Sequence, residues 1–315
     1  MKMNKHAYLI IAHNNFEQLV FLSSLLDYKY HDIFILVDEK SDFSDEWIFK
    51  IKSKVKYSSI FFTKRLPIYW GGTSQISAEL VLFNTAYNKG EYSYYHLLSG
   101  VDLPLASNKH IYDFFEANPN KVFLSLVNEQ IAIKNQVQNR LKYYHLFSNV
   151  SSRTFNNRVL KKALSLYRRM EREVQSLLGI DLIKKHDLTV GYASNWVSLD
   201  NATVVMLLKN EAFVRQVFKY SVFSDEIFIP TMLSKLGLTD KIYSCERIND
   251  KPEDFQGNLR YINWWDGSPH TWRDSEQDFE QLRYAKKRGH LFSRKFDLVT
   301  YPRMALFIKE LIEES

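Results

Sequence analysis

The sequence predicts an α/β fold in which short buried strands alternate with helices. Three features carry this. Apolar runs at 7–12 (AYLIIA), 33–37 and 94–98 have strand length and no polar face, as strands covered on both sides do. Helical patterns at 16–26 and 74–87 lie between them, and each run stops on polar residues: His13-Asn14-Asn15, Asp38, and Ser99-Gly100-Val101-Asp102. Phe61 and Phe62 mark a further strand, residues 189–199 return to strand character, and 201–208 reads as a helix. Ligands of open α/β sheets collect beyond the carboxyl ends of the strands, so His13, Asp38 and Asp102 are expected to line one crevice. The first turn carries neither GxGxxG nor GxxxxGK[ST], so a bound nucleotide needs another grip on its phosphates.

With 315 residues, 45% of them hydrophobic, the chain can bury a large core as one domain or two closely packed lobes. The net charge of +6 suits anionic partners and selects none of them. The single cysteine, Cys245, excludes an internal disulfide framework and a thiolate metal cluster, and a reducing cytoplasm is the expected compartment. No stretch approaches the roughly 20 apolar residues of a membrane span, and the apolar run after MKMNKH is too short for a secretory signal.

Basic charge concentrates in residues 134–186, with 12 Lys and Arg against Glu171, Glu173 and Asp181. Within 156–178, at about 100° per residue, Arg158, Lys161, Lys162, Arg168, Arg169 and Arg172 gather opposite Leu160, Ala163, Leu164, Tyr167, Met170, Val174 and Leu178. Such a helix either shows a solvated basic face above a core stripe or rests that face on anionic lipid headgroups. No nucleic-acid motif accompanies it, and nucleic acid is not an expected partner.

In residues 221–231, SVFSDEIFIPT, two carboxylates interrupt an apolar run. If Ser224 caps a helix, Asp225 and Glu226 sit in its first turn, where the dipole favours negative charge. The other reading has one carboxylate capping while the other enters a cleft as a general base. His13, His96 and His145 with Asp38 and Asp102 are weighed as metal ligands; without HExxH or a close His pair, satisfied histidines are preferred.

Taken in order, AYLIIAHNNFEQL, ILVDEKSD, YWGGTSQISAELVLFNTA, YYHLLSGVDLPL, SNWVSL, SDEIFIPT, YINW and LFSRKFD resemble the Branch-type glycosyltransferases of family 14. That family contains the core-2 and I-branching β-1,6-N-acetylglucosaminyltransferases and the peptide O-xylosyltransferases. The resemblance covers about residues 7–297 and implies a GT-A type α/β fold, a UDP-sugar donor, inversion at the anomeric carbon and no metal. Val37-Asp38-Glu39-Lys40 stands where most GT-A enzymes carry Asp-x-Asp. It further implies a division into a UDP-sugar-binding half at about 5–127, the basic helical insertion at 130–188, an acceptor and catalytic half at 189–300, and a C-terminal helix at 301–315. The animal enzymes' cysteines and N-terminal anchor are missing, which suggests a bacterial relative building a surface polysaccharide.

Carried over by the resemblance, Glu226 falls on the catalytic base and Asp38 on the carboxylate that contacts the nucleoside. Lys295 and Arg273, with Arg294 as substitute, fall on the cations that grip the diphosphate. Ser99, Gly100 and Asp102 belong beside the donor sugar, and Trp264 falls on an aromatic that stacks on the acceptor. Arg140 and Lys142 lie near acceptor-binding cations, and Asn195, Trp196 and Asp225 are expected to line the acceptor cleft. Trp70-Gly71-Gly72 either closes over the donor or caps the next helix. The function so implied is GlcNAc transfer from UDP-GlcNAc in β-linkage onto a glycan acceptor, lipid-linked in one version. UDP-xylose is the alternative donor, and a non-catalytic carbohydrate-binding protein the alternative class. A glycoside hydrolase needs two carboxylates facing each other across about 5–9.5 Å, which adjacent Asp225 and Glu226 do not supply.

Overall fold

The computed structural model describes residues 4–150 and 154–314. Strands β1 (Lys5–Ala12), β2 (His31–Val37), β3 (Ser59–Phe62) and β4 (Tyr92–Ser99) are the predicted apolar runs. Their neighbours are β5 (Asp102–Pro104), β6 (Leu126–Val127), β7 (Ser198–Asp200), β8 (Arg247–Ile248), β9 (Arg260–Ile262) and β10 (Phe292–Arg294). The main sheet has the order β3-β2-β1-β4-β7, parallel except for β7, and β5-β10-β9 and β6-β8 form two smaller sheets. Successive residues of β1 enter opposite cores. Tyr8, Ile10 and Ala12 pack with Leu19, Leu22 and Phe292, whereas Ala7 and Leu9 pack with Leu80, Phe83 and Ile227. Burial on both faces explains why the strand lacks polar alternation.

The strand order reverses between β1 and β4, so the loops leaving these strands diverge and open a crevice at their carboxyl ends. One buried guanidinium fixes the small sheet against the large one. Arg260 of β9, 1% exposed, donates to the carbonyls of Leu97 in β4 and Val197 at 3.1 and 2.9 Å, and to Ser198 Oγ of β7 at 3.1 Å.

Helices Phe16–Leu25, Ser74–Lys89, Asn201–Lys209 and Asp225–Lys235 stand where helical patterns occur, and Arg303–Glu313 ends the chain. The basic insertion holds helices Glu129–Lys134, Val137–Lys142, Arg158–Leu177 and Leu182–Lys185. Residues 151–153 of this insertion lie outside the described residues. Arg158–Leu177 departs from the reading of a solvated basic face over a core stripe. Gln175 is its one buried residue, Lys161, Arg168 and Arg172 line an open cavity, and Val159, Met170, Val174 and Leu177 are 54–88% exposed. Gln175 sets this roll by exchanging hydrogen bonds with the backbone of Tyr144, 2.8 Å each. Among the described residues no helix is long and apolar enough to cross a membrane.

His96 of β4 is completely buried; its Nδ1 meets Ser198 Oγ at 2.8 Å and its Nε2 meets His6 Nδ1 at 3.1 Å, while His6 Nε2 reaches Glu116. Burial is the main cause lowering the pKa of His6, His96, His31 (to about 3) and His290 (to about 4). Each holds fewer protons folded than unfolded below its ordinary value of 6.5, so stability is full above that pH and falls as pH drops toward the folded values. The urea midpoint should therefore decrease from pH 6 to 5, less steeply than the histidines alone require, because the buried acids Asp225 and Glu79 contribute with the opposite sign in that window. A midpoint independent of pH across that window would contradict the buried neutral histidines.

Candidate active site

Helix Asp225–Lys235 carries Pro230 in its interior. Proline has no N–H for the carbonyl four residues back. That carbonyl belongs to Glu226, and it accepts from Ala193 N instead, at 3.0 Å. Gly191 N donates to Thr231 Oγ1 at 3.1 Å, and a Cβ on Gly191 would stand 2.6 Å from Pro230 Cβ. Residues 191–197 are thus laid along the helix, and the strand expected from 189 narrows to β7.

Glu226, with 33% of its side chain exposed, accepts through Oε2 from Arg140 Nη1 at 2.7 Å. The Arg140 guanidinium lies 5.3 Å from the Tyr192 ring centroid and 5.5 Å from that of Phe223, so two aromatic walls and an ion pair hold it. Ser224 stands at the N-cap without capping through its hydroxyl, which is buried with no hydrogen-bond partner among the described residues.

Asp225 corrects its expected place in the acceptor cleft: it is 8% exposed. Burial first, and the charge of Glu226 second, push its carboxyl up to about 7. Glu79 of helix Ser74–Lys89 is fully buried with neither oxygen hydrogen-bonded, and its carboxyl is raised well above the usual range by burial and then by Asp225. Sequence reading passes over Glu79. Its one signal is an acid on the face of Ile76, Phe83 and Ala86, at helical spacing.

Beyond the carboxyl ends of β1, β2 and β4 a second set of groups assembles. Burial holds the His13 imidazole below its ordinary pKa; Asp38 opposes this, and Arg294, Lys295 and Lys40 add to it. Asp38 Oδ1 accepts from the backbone N–H of Lys40 at 3.1 Å and of Ile68 at 3.2 Å. Lys295 is half-buried and its ammonium makes no hydrogen bond among the described residues. Its carbonyl takes the Trp272 N–H at 2.9 Å, which brings Arg273 alongside, 54% exposed and 3.7 Å from Asp278.

Several expectations change here. Asp102 is 1% exposed and has both oxygens engaged, one by Ser99 N at 2.9 Å and one by Arg294 Nη1 at 2.8 Å, so it anchors Arg294 instead of meeting a sugar. Ser99 and Gly100 are buried framework too; a Cβ on Gly100 would stand 3.1 Å from that of Ala12. Trp196 joins the cationic set, its ring 4.6 Å beneath the Arg294 guanidinium, while Asn195 remains half-buried on the segment leading to it. Trp264 follows β9, whose Ile262 pairs with Arg294, and so lies at this same edge. Lys142 is directed to Asp181, at 3.7 Å, and does not join Glu226. The histidines weighed as metal ligands are separate: His96 is in the core network and His145 Nε2 bonds to the Asn139 carbonyl at 3.0 Å.

Two backbone segments connect the cationic set with Glu226. One is 191–197, from Ala193 on Glu226 to Trp196 beneath Arg294. The other is 66–72. Ile68 N bonds to Asp38, and the Gly71 carbonyl accepts from Phe223 N at 2.8 Å. Gly71 has φ +76°, and a Cβ there would come within 2.5 Å of the Phe223 ring. Trp70 meets the same ring edge-on at 4.8 Å. The Trp70 turn therefore docks on the segment preceding Glu226 as well as preceding helix Ser74–Lys89.

A mostly parallel sheet with cationic and acidic groups gathered at its switch point, linked through two segments to a glutamate at a helix N-terminus, is consistent with a GT-A type glycosyltransferase fold. The family model described as Branch, Core-2/I-Branching enzyme, matches residues 6–283, and the chain belongs to that family. No curated protein matches in sequence. Among solved structures, apo mouse xyloside xylosyltransferase 1 is similar at 10% identity, TM-score 0.38, over 91% of this chain and 97% of that one. Core-mannan synthase A from Aspergillus fumigatus, in a Mn/GDP form, is similar at 12% identity, TM-score 0.36, over 76% of this chain and 72% of that one. A mannosyltransferase from Pyrobaculum calidifontis, in complex with GDP-Man and Mn2+, gives 9% identity and TM-score 0.30 over 46% and 42%.

The raised Asp225 carboxyl has a consequence for stability. A buried acid whose folded pKa lies above its unfolded value of 3.8 favours folding most when protonated, and that contribution disappears as pH rises to about 7. Asp225→Asn should raise the melting temperature at pH 8 and leave it nearly unchanged at pH 4.5, measured by differential scanning fluorimetry. An equal shift at both pH values would mean that charge on Asp225 is not the cause.

Proposed function

We propose that this glycosyltransferase moves a sugar with inversion from a UDP-sugar, UDP-GlcNAc first among candidates, onto a hydroxyl of a glycan acceptor, with Glu226 as general base. Inverting transfer needs a group to take the acceptor proton as its oxygen attacks the anomeric carbon, and positive charge where the diphosphate leaves. The observation that carries the proposal is that the same two segments, 66–72 and 191–197, hold Glu226 and the Arg294–Lys295 cations in one framework.

Glu226 meets both the positive end of helix Asp225–Lys235 and Arg140, while Asp225 and Glu79 beneath it are driven toward their neutral forms. Negative charge at this helix end is thereby concentrated on Glu226. Arg294, fixed by Asp102, offers a planar fork to phosphate oxygens, and Lys295 a movable point charge. Arg273 stands beside them. Preorganised cations of this kind can carry the charge that a divalent ion carries elsewhere. Asp38 is assigned to the nucleoside and His13 to the phosphate side.

The test measures UDP release from a panel including UDP-GlcNAc and UDP-xylose in excess EDTA, for the wild type and Glu226→Gln. Wild-type release should persist, and the variant should lose about 10²–10⁴-fold in turnover while keeping its affinity for UDP. Activity restored only by Mn2+ would overturn the role of the cations, and near-wild-type turnover in Glu226→Gln would overturn the base.

A seat on the cytoplasmic face of an anionic membrane, with a lipid-linked acceptor, accompanies this proposal. It is supported by the outward stripe of Val159, Met170, Val174 and Leu177, bordered by the exposed Arg158, Lys162 and Arg169. Co-sedimentation with phosphatidylglycerol vesicles should exceed that with phosphatidylcholine vesicles and weaken on charge reversal at Arg158, Lys162 and Arg169. Equal binding to both, indifferent to the reversal, would exclude the membrane seat.

A further inference from the structure

Next to Glu226 lies a cavity of about 380 Å³ between helices Val137–Lys142 and Arg158–Leu177. Arg140, Lys161, Arg168 and Arg172 line it together with His145 and Phe223, and no Asp or Glu is among its lining residues. Through Arg140 and Phe223 it adjoins the base: Arg140 bonds to Glu226, and Phe223 is three residues before it.

Clustering four cations costs mutual repulsion and desolvation; Arg140 is paired with Glu226 and Glu171 acts on Arg168, whereas Lys161 and Arg172 have no acidic partner among the described residues. Arg172 Nη1 donates to Gln136 Oε1 at 2.8 Å and Arg168 to the Val150 carbonyl, both neutral acceptors. The Lys161 ammonium makes no hydrogen bond among the described residues. Glu171 is the nearby acid, but its Oε1 already accepts from Tyr167 Oη and Leu146 N, at 3.0 and 3.1 Å. Burial lowers the Arg168 pKa, with Glu171 opposing this and Arg172 adding to it. Guanidinium groups held this way are preorganised to bind a carboxylate or phosphate in two-point fashion.

We propose that this cavity receives an anionic group carried by the acceptor, so that the enzyme glycosylates an acidic glycan, bearing a uronic-acid carboxylate or a phosphate, in preference to a neutral one. This rests on the assignment of Glu226 as the base, because that assignment sets the acceptor hydroxyl beside Arg140. The inward roll of helix Arg158–Leu177 supports it: the roll leaves apolar side chains on the outer face and turns Lys161, Arg168 and Arg172 toward the cavity beside Arg140. The Arg294–Lys295 cations, reached through 191–197, remain for the donor.

Binding is tested without turnover, so the outcome is independent of whether Glu226 is the base. Calorimetry with glucuronic acid, methyl glucoside and inorganic phosphate as probes should show the wild type binding glucuronic acid or phosphate and not the neutral glucoside. In the variant carrying Lys161→Gln, Arg168→Gln and Arg172→Gln that binding should weaken about tenfold or more, while UDP binding is unchanged. Arg168→Lys with Arg172→Lys, which keeps the charge, should recover most of the affinity and controls for folding. Glucuronic acid favoured over phosphate would identify a sugar acid, and the reverse order a phosphate-bearing acceptor. Equal binding of the neutral glucoside and both anions, or anion binding insensitive to the triple substitution, would overturn the proposal. So would a parallel loss of UDP affinity, which would assign the cavity to the donor.

Discussion

The hydrogen bond from Ala193 N to the Glu226 carbonyl is the contact on which the site depends, and Pro230 makes it available. An ordinary residue at 230 would return its own N–H to that carbonyl and close the helix against the segment now docked there. From Ala193 the chain reaches Trp196, whose carbonyl accepts from Asn258 and whose ring underlies Arg294; Arg294 is tied to Asp102, and Asp102 to the end of β4. A continuous line of contacts therefore runs from the glutamate to the switch point of the main sheet. Helix-breaking chemistry inside a helix serves here as a means of attachment.

The electrostatics of the two ends differ in kind. At the switch point, cations are paired sparingly: Arg294 has Asp102, whereas the Lys295 ammonium makes no hydrogen bond among the described residues. At the Glu226 end, acids are buried beneath the surface and one is paired above it, so neutral and charged carboxyls occupy neighbouring positions for opposite reasons, desolvation for Asp225 and Glu79, a guanidinium for Glu226.

Strands β1, β2 and β4 were legible because burial on both faces leaves an unbroken apolar run, and the polar residues ending those runs do collect at one edge. The period of helix Arg158–Leu177 was legible as well, but its rotation was not. Periodicity defines a stripe and says nothing of which neighbour the stripe meets, and here the anchoring contacts of Gln175 with Tyr144 decide it. Motif resemblance singled out Glu226 and Arg140, which the structure joins in an ion pair, and Lys295, which it sets beside Arg294. It could not separate exposed residues from those that hold them in place, so Asp102 and Asp225, which are buried, were expected at surfaces. Glu79 escaped because a helical pattern reader treats a lone acid as an interruption, whereas its meaning lies in a partner about 150 residues away.

Arg260 sets a limit on how the molecule can move. Its N–H groups bridge β9 to the backbone of Leu97 and Val197 in the buried interior. Sliding one sheet past the other would strand each of those donors at about 1–3 kcal/mol apiece. Hinging between the two sheets therefore carries that cost, and the small sheet holding Arg294 keeps its place against the end of β4.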